Sequence, residues 1–313
     1  TGDAVILTND GELLNKGFEF NVTGNIIRKA DFKLSLNVNG EMFNNEITKM
    51  PIENSTGQPK VINIDGRYGQ SQGSSIYDFY TREWAGVNPD NGDPQWVQHW
   101  VDENNDGEYN SGEGISDLMV YKAANPNNVI KQRNTSVYGD ATDKYVGKSL
   151  IPTIRGAFRL NSSYRDFSLS AQFGYSLGGY GYDTNYAVLM SNSKAGSSSY
   201  HVDMENRWMN AGDVTDVPRL YSNENIQVNS GSSRFITSTD YLSLNNVRLG
   251  YSIPSKYLSR VGLSSVNLWV SGDNLFLLSA RNGYNPTTSV TAQSDRYTYN
   301  PISNYTLGVR IKF

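Results

Sequence analysis

Between Asp102 and Glu113 the chain reads DENNDGEYNSGE, and its oxygen-bearing groups fall at the positions of an EF-hand-type calcium loop. Asp102, Asn104 and Asp106 stand at positions 1, 3 and 5 of that pattern. Gly107 allows the sharp turn, Glu108 offers its main-chain carbonyl at position 7, Asn110 can bind through a water, and Glu113 closes the set. Calcium takes about six to eight oxygens, so the expected cofactor is Ca2+, held with the modest affinity of extracellular modules, on the order of 10⁻⁴–10⁻³ M. The competing reading is a solvated acidic loop, which a composition rich in Asn and Gly produces readily. An EF-hand also needs flanking helices, and little in this sequence reads as helix.

Other residues capable of chemistry point away from catalysis. GYSLG at 174–178 matches the G-x-S-x-G pattern of a nucleophile elbow. An elbow requires a sharp strand-to-helix turn, whereas Phe173, Tyr175 and Leu177 continue a strand alternation. The 2 histidines, His99 and His201, fall in long loops, and with no cysteine there are no thiol nucleophiles or zinc–thiolate sites. No enzyme is expected. In WVQHW, Trp96 and Trp100 lie four apart with Trp84 nearby, so their faces could stack on a sugar ring or meet a partner; equally, they could pin a long loop. Trp208, after Arg207 in RWMNAGD, admits the same two readings.

Alternation with period 2 dominates the elements around these residues. Phe18, Phe20 and Val22 alternate with polar residues, as do Phe32, Leu34, Leu36 and Val38. Ile154, Phe158 and Leu160 lead through the turn SSYRD to Phe167, Leu169, Ala171, Phe173 and Tyr175. Val247, Leu249 and Tyr251 precede Pro254, and Val266, Leu268 and Val270 follow it. In YTLGVRIKF, Tyr305, Leu307, Val309, Ile311 and Phe313 share one face. With 21 Tyr, 5 Trp and 29 Gly, the composition suits strands and turns. A formal net charge of −4 offers no basic stripe for nucleic acid. No apolar run is long enough for a membrane helix, but a mean hydropathy of −0.53 is compatible with a transmembrane barrel, whose strands alternate.

Connections alternate too. Short ones at 28–31, 163–166 and 253–264 trade places with long ones at about 50–152, 179–236 and 277–302. Short turns on one side and long loops on the other are how outer-membrane barrels are built. About seven strands are readable, and an open edge in lipid leaves backbone groups unpaired. The expectation is therefore an all-β, antiparallel transmembrane β-barrel segment of about seven to nine strands, one part of a larger barrel. The alternative is a soluble or surface-exposed β-sandwich carbohydrate-binding module with a calcium-stabilised loop.

Several stretches, in this order, resemble the SusC/RagA family of TonB-dependent outer-membrane transporters. They are NKGFEFNV (15–22), GVNPDNGDPQW (86–96), DENNDGEYN (102–110), FRLNSSYRDFSLSAQFGYSLGGYGYD (158–183), RWMNAGDVTDVPRL (207–220), DYLSLNNVRLGYSIPSKYL (240–258), LWVSGDNLFLLSARNGYNP (268–286) and YTLGVRIKF. The block from Asp240 to Pro286 is the most specific. The resemblance implies that residues 1–313 are the C-terminal portion of a barrel of about 22 strands, with residues 51–152 as a long extracellular loop region that carries the 102–113 loop. Signal peptide, N-terminal extension, TonB box and plug would lie upstream of Thr1.

The resemblance further implies import of a nutrient, an oligosaccharide or in some members a peptide, across the outer membrane of a Gram-negative bacterium. The partners it implies are a SusD-like lipoprotein at the extracellular mouth, the TonB complex through the upstream part, and outer-membrane lipid. By the same analogy, Phe313 is a barrel-assembly signal.

Overall fold

The computed structural model describes residues 10–191, 199–221, 226–289 and 299–313. The alternating stretches form seven long strands: β1 Glu12–Arg28, β2 Phe32–Lys49, β3 Ile154–Tyr164, β4 Phe167–Leu177, β5 Tyr241–Ser252, β6 Ser265–Ser279 and β7 Asn304–Lys312. They make one sheet in chain order, each strand paired with its neighbours in sequence. The registered pairs from β2 onward are all antiparallel. The short connections leave from one end of the sheet and the long ones from the other, as the sequence predicts. β6 runs on to Ser279, two residues beyond the expected start of the last long connection. Parts of the long connections, 192–198, 222–225 and 290–298, lie outside the described residues, as do residues 1–9.

Register across the sheet gives it two faces of opposite character. Asn37, Arg159, Gln172, Asn246, Asp273 and Asn304 line up as one polar row from β2 to β7. Within it Asn246 donates to Asp273 at 2.6 Å, Arg159 donates to Gln172, and Asn37 donates to Asn21 and Thr23 of β1. On the other face Leu169, Leu249, Val270 and Leu307 line up, and the rings of Phe158 and Phe173 stack at 4.7 Å. That apolar face is uncovered: Leu307 is 81 % exposed, Phe18 64 % and Leu278 62 %. A sandwich buries such a face against a second sheet; a transmembrane barrel turns it to lipid.

A bulge preserves the pattern where parity fails. Leu242 and Leu244 have even numbers, whereas Val247, Leu249 and Tyr251 have odd ones. Pairing with β4 skips Asn245, and the extra residue keeps all five on the apolar face. Glycines open a notch on the same face. The Tyr175 ring crosses Gly156 and Gly40 so that its hydroxyl donates to the Asn39 carbonyl at 3.1 Å. A Cβ on Gly156 would stand 2.1 Å from that carbonyl oxygen.

Among the described residues, 10–16, 44–150, 182–191, 199–221 and 226–237 form a separate compact unit that takes in the ends of β1 and β2 facing the long connections. The expected loop region at 51–152 is thus only part of it, because the second long connection folds into the same core. Short strands Ile62–Ile64, Tyr68–Gln70, Asp78–Arg82 and Asp143–Ser149 make one small sheet, and Pro94–Trp100 pairs with Trp84–Val87, Gly114–Ile115 and Lys131–Thr135 in another. Phe79, Tyr80, Trp96, Met190, Val228 and Phe235 are its buried centre. Trp84 donates its backbone N–H to Ser233 Oγ at 2.9 Å, and Tyr138 donates to the Gly231 carbonyl at 2.8 Å, joining the two connections.

Candidate functional site

The 102–113 segment coils around its own carboxylates. Gly107 at φ +85° and Asn105 at φ +59° make the turn. Asp102 accepts from the backbone N–H groups of Asp106 at 3.1 Å and Gly107 at 2.9 Å. Asp106 accepts from the Glu108 N–H at 2.8 Å and from the side-chain amides of Asn104 and Asn110, each at 2.8 Å. Glu113, buried, closes the loop by accepting from the N–H groups of Glu103 at 3.1 Å and Asn110 at 2.6 Å. All six sequence-predicted ligand residues therefore sit in one coil.

A cation already touches that coil. Lys131, on the strand Lys131–Thr135, places its Nζ 2.6 Å from Asp102 Oδ2. This contact, with the two backbone N–H groups, holds the Asp102 carboxyl below the usual carboxylate range. Asp106 is lowered as well, first by the Glu108 N–H and then by the Asn110 and Asn104 amides. Among the described residues no three His, Cys, Asp or Glu side chains converge in a group that could hold a metal ion. Sequence reasoning missed Lys131 because it lies 29 residues downstream and comes near only through strand pairing with Pro94–Trp100, which places Lys131 opposite Trp100.

The tryptophans expected to meet a ligand divide into two pairs. Trp96 and Trp100 are buried: Trp96 packs edge-on against Trp84 and Tyr138, and Trp100 against Tyr109, with the Lys131 ammonium 4.9 Å from its ring centre. These two pin the unit's core and present little ring face to solvent. Trp84 and Trp208 remain partly exposed. Trp84 donates to Asp216 at 2.6 Å and lies under the Arg234 guanidinium. Trp208 rests on Gly92 and donates to the Pro89 carbonyl at 2.9 Å, so it clamps residues 88–93. His99 is buried on the strand Pro94–Trp100, and burial, aided by Lys144, pushes its pKa down.

GYSLG runs straight through the end of β4, with Ser176 inside the strand, so the turn an elbow needs is absent there. Phe313 follows β7 and is 91 % exposed.

No family model matches the chain. Among curated proteins, TonB-dependent receptor P3 of Formosa agariphila is 28% identical over 324 residues, covering 98% of this chain and 29% of the relative. TonB-dependent receptor P39 of the same organism is 24% identical over 304 residues, covering 91% and 28%. The chain is similar to TonB-dependent receptors. It spans less than a third of the length of these curated relatives. Among solved structures, the RagAB peptide transporter superposes with a TM-score of 0.73 at 20% identity, over 97% of this chain and 30% of that one. The RagAB peptide importer in its closed-closed state gives 0.72 at 21% identity, over 97% and 30%. The fold is thus an antiparallel β-barrel segment, with β1 and β7 as the outer strands of the described sheet. Both curated relatives carry receptor names.

Proposed function

We propose that this chain supplies barrel strands and extracellular loops to an outer-membrane, TonB-dependent importer of an oligosaccharide. The observation that carries the reading is the two-faced sheet, with Leu169, Leu249, Val270 and Leu307 exposed in one row and a hydrogen-bonded polar row behind them. Exposed apolar area of that extent fits lipid and does not fit a soluble sandwich. Energy would reach the importer from the TonB complex through parts of the protein outside these residues. A SusD-like lipoprotein would cover the end from which the long connections leave, with partly exposed Trp84 and Trp208 available to partner or cargo. A peptide is the alternative cargo, since the similar solved structures are peptide transporters.

Within this reading Asp102, Asn104, Asp106, Glu108, Asn110 and Glu113 would hold Ca2+, which would neutralise three carboxylates. The donor set suits calcium. Binding would require Asp102 to leave Lys131 and Asp106 to release two amide N–H groups.

Fractionation of cells producing the full-length protein tests the membrane reading. Recovery with outer-membrane vesicles after an alkaline wash supports it; recovery in the aqueous phase without detergent overturns it. Loss of labelled oligosaccharide uptake on deleting the gene, restored by complementation, tests the cargo, and parallel uptake of labelled peptide decides between the two classes.

A further inference from the structure

Within the loop unit, a cavity of about 460 Å³ lies between the turn at Ser71–Ser74, the strand Asp143–Ser149 and Met119. Three hydroxyls form its floor. Ser74 Oγ donates to the Ser71 carbonyl at 2.8 Å and accepts from the Ser71 N–H at 3.1 Å. Tyr145 OH lies 2.9 Å from Ser74 Oγ and 2.8 Å from Ser71 Oγ. Each hydroxyl has a single proton, and all three are used within this ring or on the Ser71 carbonyl. Ser74 Oγ accepts from the Ser71 N–H and Tyr145, so what Ser71 Oγ and Tyr145 OH have left for a ligand is lone pairs.

The walls extend that character and balance it. Asp78 uses Oδ2 to accept from the Ser75 N–H at 2.9 Å, and among the described residues its Oδ1 has no hydrogen-bond partner. Lys148 lines the same cavity, so one carboxylate and one ammonium leave it without net charge. Met119 adds an apolar wall, and Gln72 and Gly73 form an exposed rim. Ser71 is only 5 % exposed, and Tyr145 is fixed by its edge-on contact with Tyr80 at 4.7 Å, so the floor is preorganised.

The geometry points to a binding site for a neutral saccharide unit on this loop face. Acceptor lone pairs and a carboxylate take O–H donors, an ammonium serves ring or hydroxyl oxygens, and Met119 meets a C–H face. A free anion would meet a floor with no protons to donate, and a free cation would face Lys148. The site deepens the proposed import of an oligosaccharide and rests on that reading only for its biological purpose.

Saturation-transfer NMR on the full-length receptor in detergent, with maltotriose, laminaritriose, mannotriose and trialanine as probes, tests it. At least one trisaccharide should receive saturation, and Asp78→Asn should weaken that binding about tenfold. Tyr145→Phe should weaken it too, with both variants keeping the folded, heat-modifiable band of the wild type. Transfer to none of the trisaccharides overturns the proposal, as does trisaccharide binding that neither variant changes or transfer to trialanine alone. Binding that is sensitive to Asp78→Asn in a receptor that imports no sugar keeps this site and overturns the import reading. Import with binding insensitive to both variants does the reverse.

Discussion

Lys131 Nζ stands 2.6 Å from Asp102 Oδ2, so an internal ammonium occupies the first carboxylate of the calcium-type coil. A divalent ion bound in the coil would have to displace this lysine from that oxygen. Lys131→Met should tighten Ca2+ binding several-fold, because the competitor is gone while all six oxygen-bearing residues remain. Isothermal titration of the full-length protein reads the change. In the wild type, chelation should expose the backbone near residue 107 to protease; identical digestion with and without chelator would remove calcium from the account.

Burial of His99 gives the loop unit an acid limit. Its pKa is lowered, so the folded state favours the neutral ring more than the unfolded chain does. That contribution is fully present above the ordinary histidine value of about 6.5 and is lost as pH falls from there through the lowered value. Protection factors across residues 94–100, exchange corrected for the intrinsic rate at each pH, should therefore fall on acidification through that window. The fall should be smaller in His99→Leu.

The glycine notch in the sheet sets a sharp contrast between two positions. An added Cβ at Gly156 would stand 2.1 Å from the Asn39 carbonyl oxygen, whereas at Gly24 it would meet nothing within 4 Å. Gly156→Ala should cost about 1–3 kcal/mol, the usual range for overpacking. Gly24→Ala should be close to neutral. Urea midpoints of the refolded full-length protein, read from heat-modifiable mobility, check both.

Charge placed on the apolar face should be far more damaging than charge on the polar one. Val309 aligns with Leu268 on the exposed apolar side, and Thr306 aligns with Ser271 on the other. Val309→Arg should cost about 2–4 kcal/mol if the residue lies near the bilayer midplane, and Thr306→Arg much less. Equal losses in lipid vesicles would contradict a lipid-facing assignment.

A cluster of contacts around Asp93 and Gly92 also joins the two long connections. Arg219 pairs with Asp93 at 3.0 Å, Tyr221 hydrogen-bonds the same carboxylate, and Trp208 covers Gly92. Trp208→Ala should raise hydrogen exchange at residues 88–93, although the substitution lies more than a hundred positions away in sequence. Unchanged exchange there would mean that the clamp contributes nothing.

How much of this could be read in advance depended on the range of the interactions. The seven strands follow from period-2 patterning, because each residue's face is set by its immediate neighbours. Even so, the parity change between Leu244 and Val247 does not say which residue is extra, and Asn245 is identified only once β4 fixes the register. The calcium-type coil was legible for the same local reason, with Asp102 to Glu113 folding on themselves. Lys131 was not, because strand pairing brings it there. The four tryptophans looked alike in sequence, yet Trp96 is fully buried whereas Trp84 and Trp208 are partly exposed. That difference arises from Tyr138, Tyr109 and the second long connection, none of which has a local signature.

The shared core of residues 44–150 and 182–237 has a consequence for inheritance and engineering. Ser233 and Gly231 on one connection complete the hydrogen bonding of Trp84 and Tyr138 on the other. A graft of either connection alone onto a different barrel would arrive with half of its interior missing. Diversification of this surface should therefore proceed by exchanging the two segments together, as a cassette with two points of insertion.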